Sequence, residues 1–153
     1  MSKPVHAVVM RHFDVAAERV FDACLDPAWT GRWMFGPNVG DDRLVQLSLD
    51  ARVGGRFSFV VNRAGAEIDH VGEYLHIDRP RLLVFTWALR ESLPEKSRVV
   101  IEVTPRAQGC EVKLTQVMGA HWSADVDRTA SAWSRMLDAL ERAIAREKEV
   151  LPV

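Results

Sequence analysis

The chain contains no apolar run near the roughly 18 residues of a membrane-spanning helix. Its first residues, MSKPVHAVVMRHF, lack the apolar core of a signal peptide and reach Arg11 early. These absences predict a cytoplasmic protein that works away from membranes. Cysteine is scarce, with two in 153 residues. Cys24 falls on the apolar side of a helical pattern and Cys110 on the apolar side of a strand pattern, so both are expected as buried free thiols rather than a disulfide. Neither sign of charge is in excess: 20 basic and 21 acidic residues are interleaved and give a net charge of −1. Nucleic acid and anionic membranes are therefore not expected as partners, because affinity for phosphate polymers rests on clustered cations.

Short motifs that carry chemistry are missing too. HEXXH, CXXC and GxSxG do not occur, and neither cysteine has an identifiable His or acidic partner in sequence. VGGRFSF has the glycines of a phosphate loop but precedes a strand, without the spacing or the following Lys-Ser/Thr that anion binding needs. Gly54 and Gly55 are better read as a turn or bulge. Of the five histidines (His6, His12, His70, His76 and His121), only His70 and His76 share parity on one predicted strand. Six residues of regular strand hold them about 20 Å apart, too far to chelate one ion. No metal and no cofactor is expected.

What the chain does have is periodicity. Residues 5–13 alternate as a strand with an ambiguous inner face. AAERVFDACLD then repeats Val20, Phe21, Cys24 and Leu25 at helical spacing, and Pro27 stops that helix or starts a second one. From Arg43 the period is two: Val45, Leu47 and Leu49 face one way, then Phe57, Phe59 and Val61. Residues 67–78 form a third strand of this set, in which Gly72 predicts a bulge or a close backbone approach. RLLVFTWALR places Leu83, Phe85, Trp87 and Leu89 on one face, and Val99, Ile101 and Val103 follow on the next strand. Cys110, Val112, Leu114, Gln116 and Met118 make the cleanest alternation, with Gln116 polar on an apolar face. Ala130, Trp133, Met136, Leu137, Leu140 and Ile144 stripe a long amphipathic helix from about Ser123 to Glu149, with Arg135, Asp138 and Arg142 on its polar side. One strand, short helices, a run of hairpin-linked strands and a long helix describe a single antiparallel α+β domain over residues 1–153.

FDVAAERVFDACLDPAWTGRW, DARVGGRFSF, GEYLHIDRPRLLVFTW and SAWSRMLDALERAI, in that order and spacing, resemble the START-like (SRPBCC) helix-grip superfamily. Within it they resemble the family of the heat-shock-protein-90 ATPase activator C-terminal domain and its small bacterial relatives. The resemblance covers nearly the whole chain. It implies the helix-grip fold of the birch-pollen allergens: a curved antiparallel sheet wrapped around a long C-terminal helix, two short helices after strand 1, and an elongated apolar cavity between sheet and helix. Relatives often carry an acid where GEYLHI has His76, so any role of that acid is not carried over. The superfamily includes lipid carriers, hormone receptors and polyketide cyclases, so fold alone does not fix function.

On that frame the expected ligand is a small, largely hydrophobic molecule. Trp133, Met136 and Leu140 are the expected wall on the helix and Phe57, Phe59, Phe85 and Trp87 the wall on the sheet. Trp33 and Phe35, from the stretch WTGRWMFGP, are the expected rim, shaped by Gly31, Gly36 and Pro37. His70, Tyr74 and Gln116 are the candidate polar groups that orient the ligand. An alternative is an enzyme of the polyketide cyclase/dehydrase or hydrolase type using the same cavity, with His70, Glu73 or Tyr74 as acid or base. A third reading is a chaperone-partner module, placed last because the chain shows no long charged docking segment. Monomer and homodimer are both open.

Overall fold

The computed structural model describes residues 3–35 and 42–150, side chains 148–150 excepted. Strand β1 (Val5–Phe13) is followed by helices α1 (Ala17–Leu25) and α2 (Pro27–Trp33). Five further antiparallel strands, β2 (Arg43–Leu49), β3 (Arg56–Arg63), β4 (Ala66–Asp78), β5 (Leu82–Leu89) and β6 (Ser97–Pro105), lead to β7 (Cys110–Met118) and the long helix α3 (Val126–Val150). The sheet order is β1-β7-β6-β5-β4-β3-β2. Consecutive strands are neighbours from β2 to β7, while β1 crosses to pair with β7, Val5 opposite Met118 and Phe13 opposite Cys110. The helix-grip architecture expected from the sequence is the one found.

Asp26 separates the two short helices. Its side chain accepts the Ala28 N–H at 2.9 Å, capping α2, while Pro27 occupies the first turn, where a missing N–H costs nothing. Pro27 therefore ends one helix and begins the next. On β1 the odd residues face inward: Ala7 and Phe13 are buried, while Val8 and Met10 are exposed. Arg11 also points inward, but its guanidinium reaches Asp138 and Ser134 on α3. That half-buried charge is thus paired and pins the helix to the sheet edge.

Two strands depart from simple alternation. The β2–β3 register shifts between Leu44 and Gln46, so Val45, expected inside, is 48% exposed. Leu44, Leu47 and Leu49 pack on the core instead. In β4 the shift falls between Tyr74 and His76, three residues after Gly72. His70 and Tyr74 point inward before it, Ile77 packs on the core after it, and Leu75 and His76 are exposed. Gly72 itself is the close approach: a Cβ there would lie 2.0 Å from Thr86 O and 2.2 Å from the Phe57 ring. The turn before β3 docks beside this bulge. Gly54, at φ +85°, donates its N–H to Tyr74 O at 2.8 Å, and Tyr74 N–H donates to Gly55 O at 2.9 Å. The helical pattern read from about Ser123 begins at Val126, because Ala120–Asp125 winds as a 3₁₀ helix.

The concave face of the sheet and the inner stripe of α3 share one core. Phe57 sits at its centre, with ring centroids 4.7 Å from Phe59, 5.5 Å from Tyr74 and 5.6 Å from Phe85. Contacts of this kind add about 0.5–1.5 kcal/mol each beyond area burial. Cys24 and Cys110 are buried free thiols, and burial pushes Cys24 up to about 12, which leaves it protonated and unreactive.

Candidate functional site

The core does not fill the whole space beneath the sheet. Toward the N-terminal half of α3 a cavity of about 510 Å³ remains between helix and strands. Two parallel stripes of α3 line it, each at helical i, i+4, i+7 spacing. Thr129, Trp133 and Met136 form the inner stripe; Arg128, Ala132 and Arg135 form the outer one. The sheet contributes His70 from β4, Trp87 from β5 and Gln116 from β7, and the chain after α2 adds Met34 and Phe35. Asp42 and Arg63 stand at the lip.

Aromatic rings set the shape. Phe35 and Trp87 are nearly parallel, 4° apart, with centroids separated by 6.3 Å. His70 lies 4.7 Å from Phe35 and 5.4 Å from Trp87, and Trp133 lies 5.3 Å from Trp87. Rigid rings supply apolar area without rotamer entropy, which suits a wall that must stay open.

The polar groups are held by specific bonds. Trp133 donates its indole N–H to Gln116 Oε1 at 2.7 Å, Gln116 Nε2 donates to Ser97 Oγ at 2.9 Å, and Ser97 donates to the Trp87 carbonyl at 3.0 Å. This chain explains the polar residue on the cleanest apolar face: Gln116 satisfies an indole and leaves one amide hydrogen unspent. His70 Nδ1 lies 3.3 Å from Phe59 O. A carbonyl only accepts, so Nδ1 carries the hydrogen and Nε2 is the acceptor of the neutral ring. Burial holds the His70 pKa below its ordinary 6.5, keeping the ring neutral at pH 7. At the lip Arg63 grips Asp42 through Nε at 3.0 and 3.1 Å and through a terminal nitrogen at 2.6 Å, which lowers the Asp42 carboxyl below its usual range.

Of the residues singled out from the sequence, Phe35, His70, Trp87, Gln116, Trp133 and Met136 meet at this cavity. Trp33, Phe57, Phe59, Tyr74, Phe85 and Leu140 do not line it; each is at most 4% exposed in the packed core. Trp33 is not a rim residue, since its indole donates to Ala23 O at 3.3 Å and ties α2 to α1. Gly36 and Pro37 lie outside the described residues. Tyr74 is surrounded by Phe57 and Phe85, and burial raises its pKa. The acid–base set does not assemble: Glu73 borders a groove that also includes Ser58 and Thr86, with its N–H bonded to Thr86 Oγ1. Asp69 is held by Ser58 and Arg90. His70 alone of the three catalytic candidates reaches the cavity. Missed from the sequence were Met34, Asp42, Arg63, Arg128, Thr129, Ala132 and Arg135.

A second compartment of about 420 Å³ shares Trp87, Gln116, Arg128 and Thr129 with the first. Pro94, Glu95, Lys96, His121 and Trp122 also line it. Glu95 accepts from both His121 and the Trp122 indole, joining the β5–β6 connection to the 3₁₀ helix before α3.

The family model described as "Activator of Hsp90 ATPase homolog 1-like protein" matches residues 14–145. No curated protein matches the chain. Among solved structures, a Chromobacterium violaceum protein is 21% identical, with TM-score 0.77 over 90% of this chain and 95% of that one. A Nitrosomonas europaea protein is 17% identical, with TM-score 0.80 over 95% and 97%. A Staphylococcus aureus protein of unknown function is 13% identical, with TM-score 0.81 over 96% and 97%. At these identities the likeness is one of fold. Among the described residues no helix is long and apolar enough to cross a membrane.

Proposed function

The chain belongs to the activator of Hsp90 ATPase homolog 1-like family, whose helix-grip fold is commonly a ligand-binding domain, and on that premise we propose that it binds a small, largely apolar molecule between the sheet and α3. The observation that carries this reading is the cavity of about 510 Å³ walled by Phe35, Trp87, Trp133 and Met136, with His70 and Gln116 held in place among them. That size is within the range of small-molecule sites, and the aromatic wall supplies the apolar surface such sites use. Trp133 and Met136 are the wall on the helix, Trp87 and Phe35 the opposite wall, and Gln116 and His70 orient the ligand. Mass spectrometry of the protein purified under native conditions tests this: a retained small molecule that is absent from a Trp133→Ala preparation supports it. A ligand retained equally by both places the site elsewhere.

His70 supports a second reading, in which the cavity also runs a reaction. A neutral imidazole with Nε2 as its free acceptor is a competent general base. This reading predicts turnover that is lost in His70→Gln and kept in Glu73→Gln and Tyr74→Phe. Chaperone docking remains third, supported by the family description alone. A cytosolic pull-down that enriches no chaperone removes it.

A further inference from the structure

We infer that the molecule this cavity takes is an organic anion, a flat apolar body whose singly charged, acceptor-rich head sits at the mouth between Arg128, Arg135 and Arg63. The inference rests on the cavity being a binding site and adds the chemical class of its ligand.

The charge around the cavity is unbalanced. Among the described residues three arginines, Arg63, Arg128 and Arg135, border it against one carboxylate, Asp42, in a chain whose net charge is −1. Arg63 is neutralised by Asp42, and Arg128 reaches Asp125 one turn back on the N-terminal side. Arg135 has no ion-pair partner among the described residues. The hydrogen-bond inventory leans the same way. Gln116 accepts from Trp133 and keeps one amide hydrogen that it can donate to a ligand. Against these donors the neutral side-chain acceptors among the described lining residues are few: His70 Nε2, Thr129 Oγ1 and the second lone pair of Gln116 Oε1.

Geometry turns that surplus into a site. Arg128 and Arg135 are seven residues apart on one stripe of α3, about 10 Å along the axis, with only the methyl of Ala132 between them. A ring system entering over Ala132 meets Trp133 and Trp87 below while its head stays within reach of a guanidinium. Arginine suits this role because its planar fork matches oxyanions and stays charged at any working pH. In the second compartment Lys96 and Arg128 stand beside two carboxylates, Glu95 and Asp125, and Arg135, which has no such partner among the described residues, borders only the first. The anionic head therefore belongs to the first.

The test uses two probes with one skeleton, neutral N-phenyl-1-naphthylamine and its 8-sulfonate, titrated by fluorescence. The sulfonate is expected to bind about tenfold more tightly at low salt, with the advantage shrinking as added salt screens the mouth. In an Arg128→Gln/Arg135→Gln variant whose melting curve shows it folded, the preference for the sulfonate should disappear. Arg81→Gln, in the remote β4–β5 turn, should keep it. Binding of the neutral probe with no preference for the sulfonate overturns this inference alone, as does a preference that survives the double substitution. Failure of both probes to bind overturns the cavity reading and the inference with it.

Discussion

Trp133 on α3 donates its indole N–H to Gln116 Oε1 on β7 at 2.7 Å, across the floor of the cavity, with both residues at most 8% exposed. Removing one partner strands the other in a low-dielectric site. Gln116→Leu is expected to lower stability by about 1–3 kcal/mol, read from urea unfolding. In a double-mutant cycle with Trp133→Phe, the double variant should lose less than the sum of the singles by about 1 kcal/mol. Strict additivity would show that the bond contributes nothing.

His70 gives the fold a specific pH dependence. Its folded pKa is depressed by burial below the ordinary 6.5, so the unfolded chain takes up the proton first. The sign follows from linkage: the contribution of neutral His70 is fully present above about pH 6.5 and is lost as pH falls through the lower folded value. His70→Gln should flatten the stability profile in that window relative to the parent protein. Asp22 and Asp42, lowered from 3.8 by their arginines, lose their contribution only at more acidic pH, so the two windows separate. A parent curve that is flat from pH 7 to pH 5 would contradict the assignment.

Gly72 and Gly65 should respond very differently to the same methyl. At Gly72 a Cβ would collide with backbone at 2.0 Å and with the Phe57 ring at 2.2 Å. Gly72→Ala is therefore expected to cost about 3 kcal/mol or to prevent folding. At Gly65 nothing lies within 4 Å and only the φ of +88° resists, so Gly65→Ala should cost about 1 kcal/mol. Thermal melts of the two variants check the contrast, and a mild Gly72→Ala would mean that β4 and β5 are farther apart than described.

Among the described residues Asp42 is the one carboxylate that borders the first compartment. Asp42→Asn frees Arg63 and makes the mouth more positive. It should raise affinity for the naphthalene sulfonate at low salt while the neutral analogue binds as before. Isothermal titration of both compounds checks this, and a sulfonate affinity that falls would mean that the Asp42–Arg63 pair holds the mouth in shape rather than limiting its charge.

Much of this architecture was legible because its strands are amphipathic. The β7 alternation ending in Gln116 and Met118 read directly onto the buried face, and Pro27 announced the break between α1 and α2. The bulges were harder to place. Gly72 drew attention as the irregular point of β4, but the register shifts at Leu75, whose side chain says nothing of it; the shift depends on how the turn at Gly54 and Gly55 docks against Tyr74. The pocket lining was half visible, because lining and core are both apolar: Phe85 and Trp87 sit two residues apart on one face, yet only Trp87 reaches the space left beside α3. Arg135 reads as solvent-facing on its helix, and Arg63 falls in the turn signal from Asn62 to Gly65. That they border one mouth depends on how α3 crosses the sheet, which no local pattern encodes.

The most direct test of the cavity as a binding site is to fill it. Ala132 lies on the outer stripe of α3 facing the open space, so Ala132→Trp can place an indole there without displacing the core. Titration with N-phenyl-1-naphthylamine, alongside urea unfolding, reads both consequences. The account predicts that Ala132→Trp keeps or raises stability and abolishes binding. Unchanged affinity in a stably folded Ala132→Trp protein would contradict it.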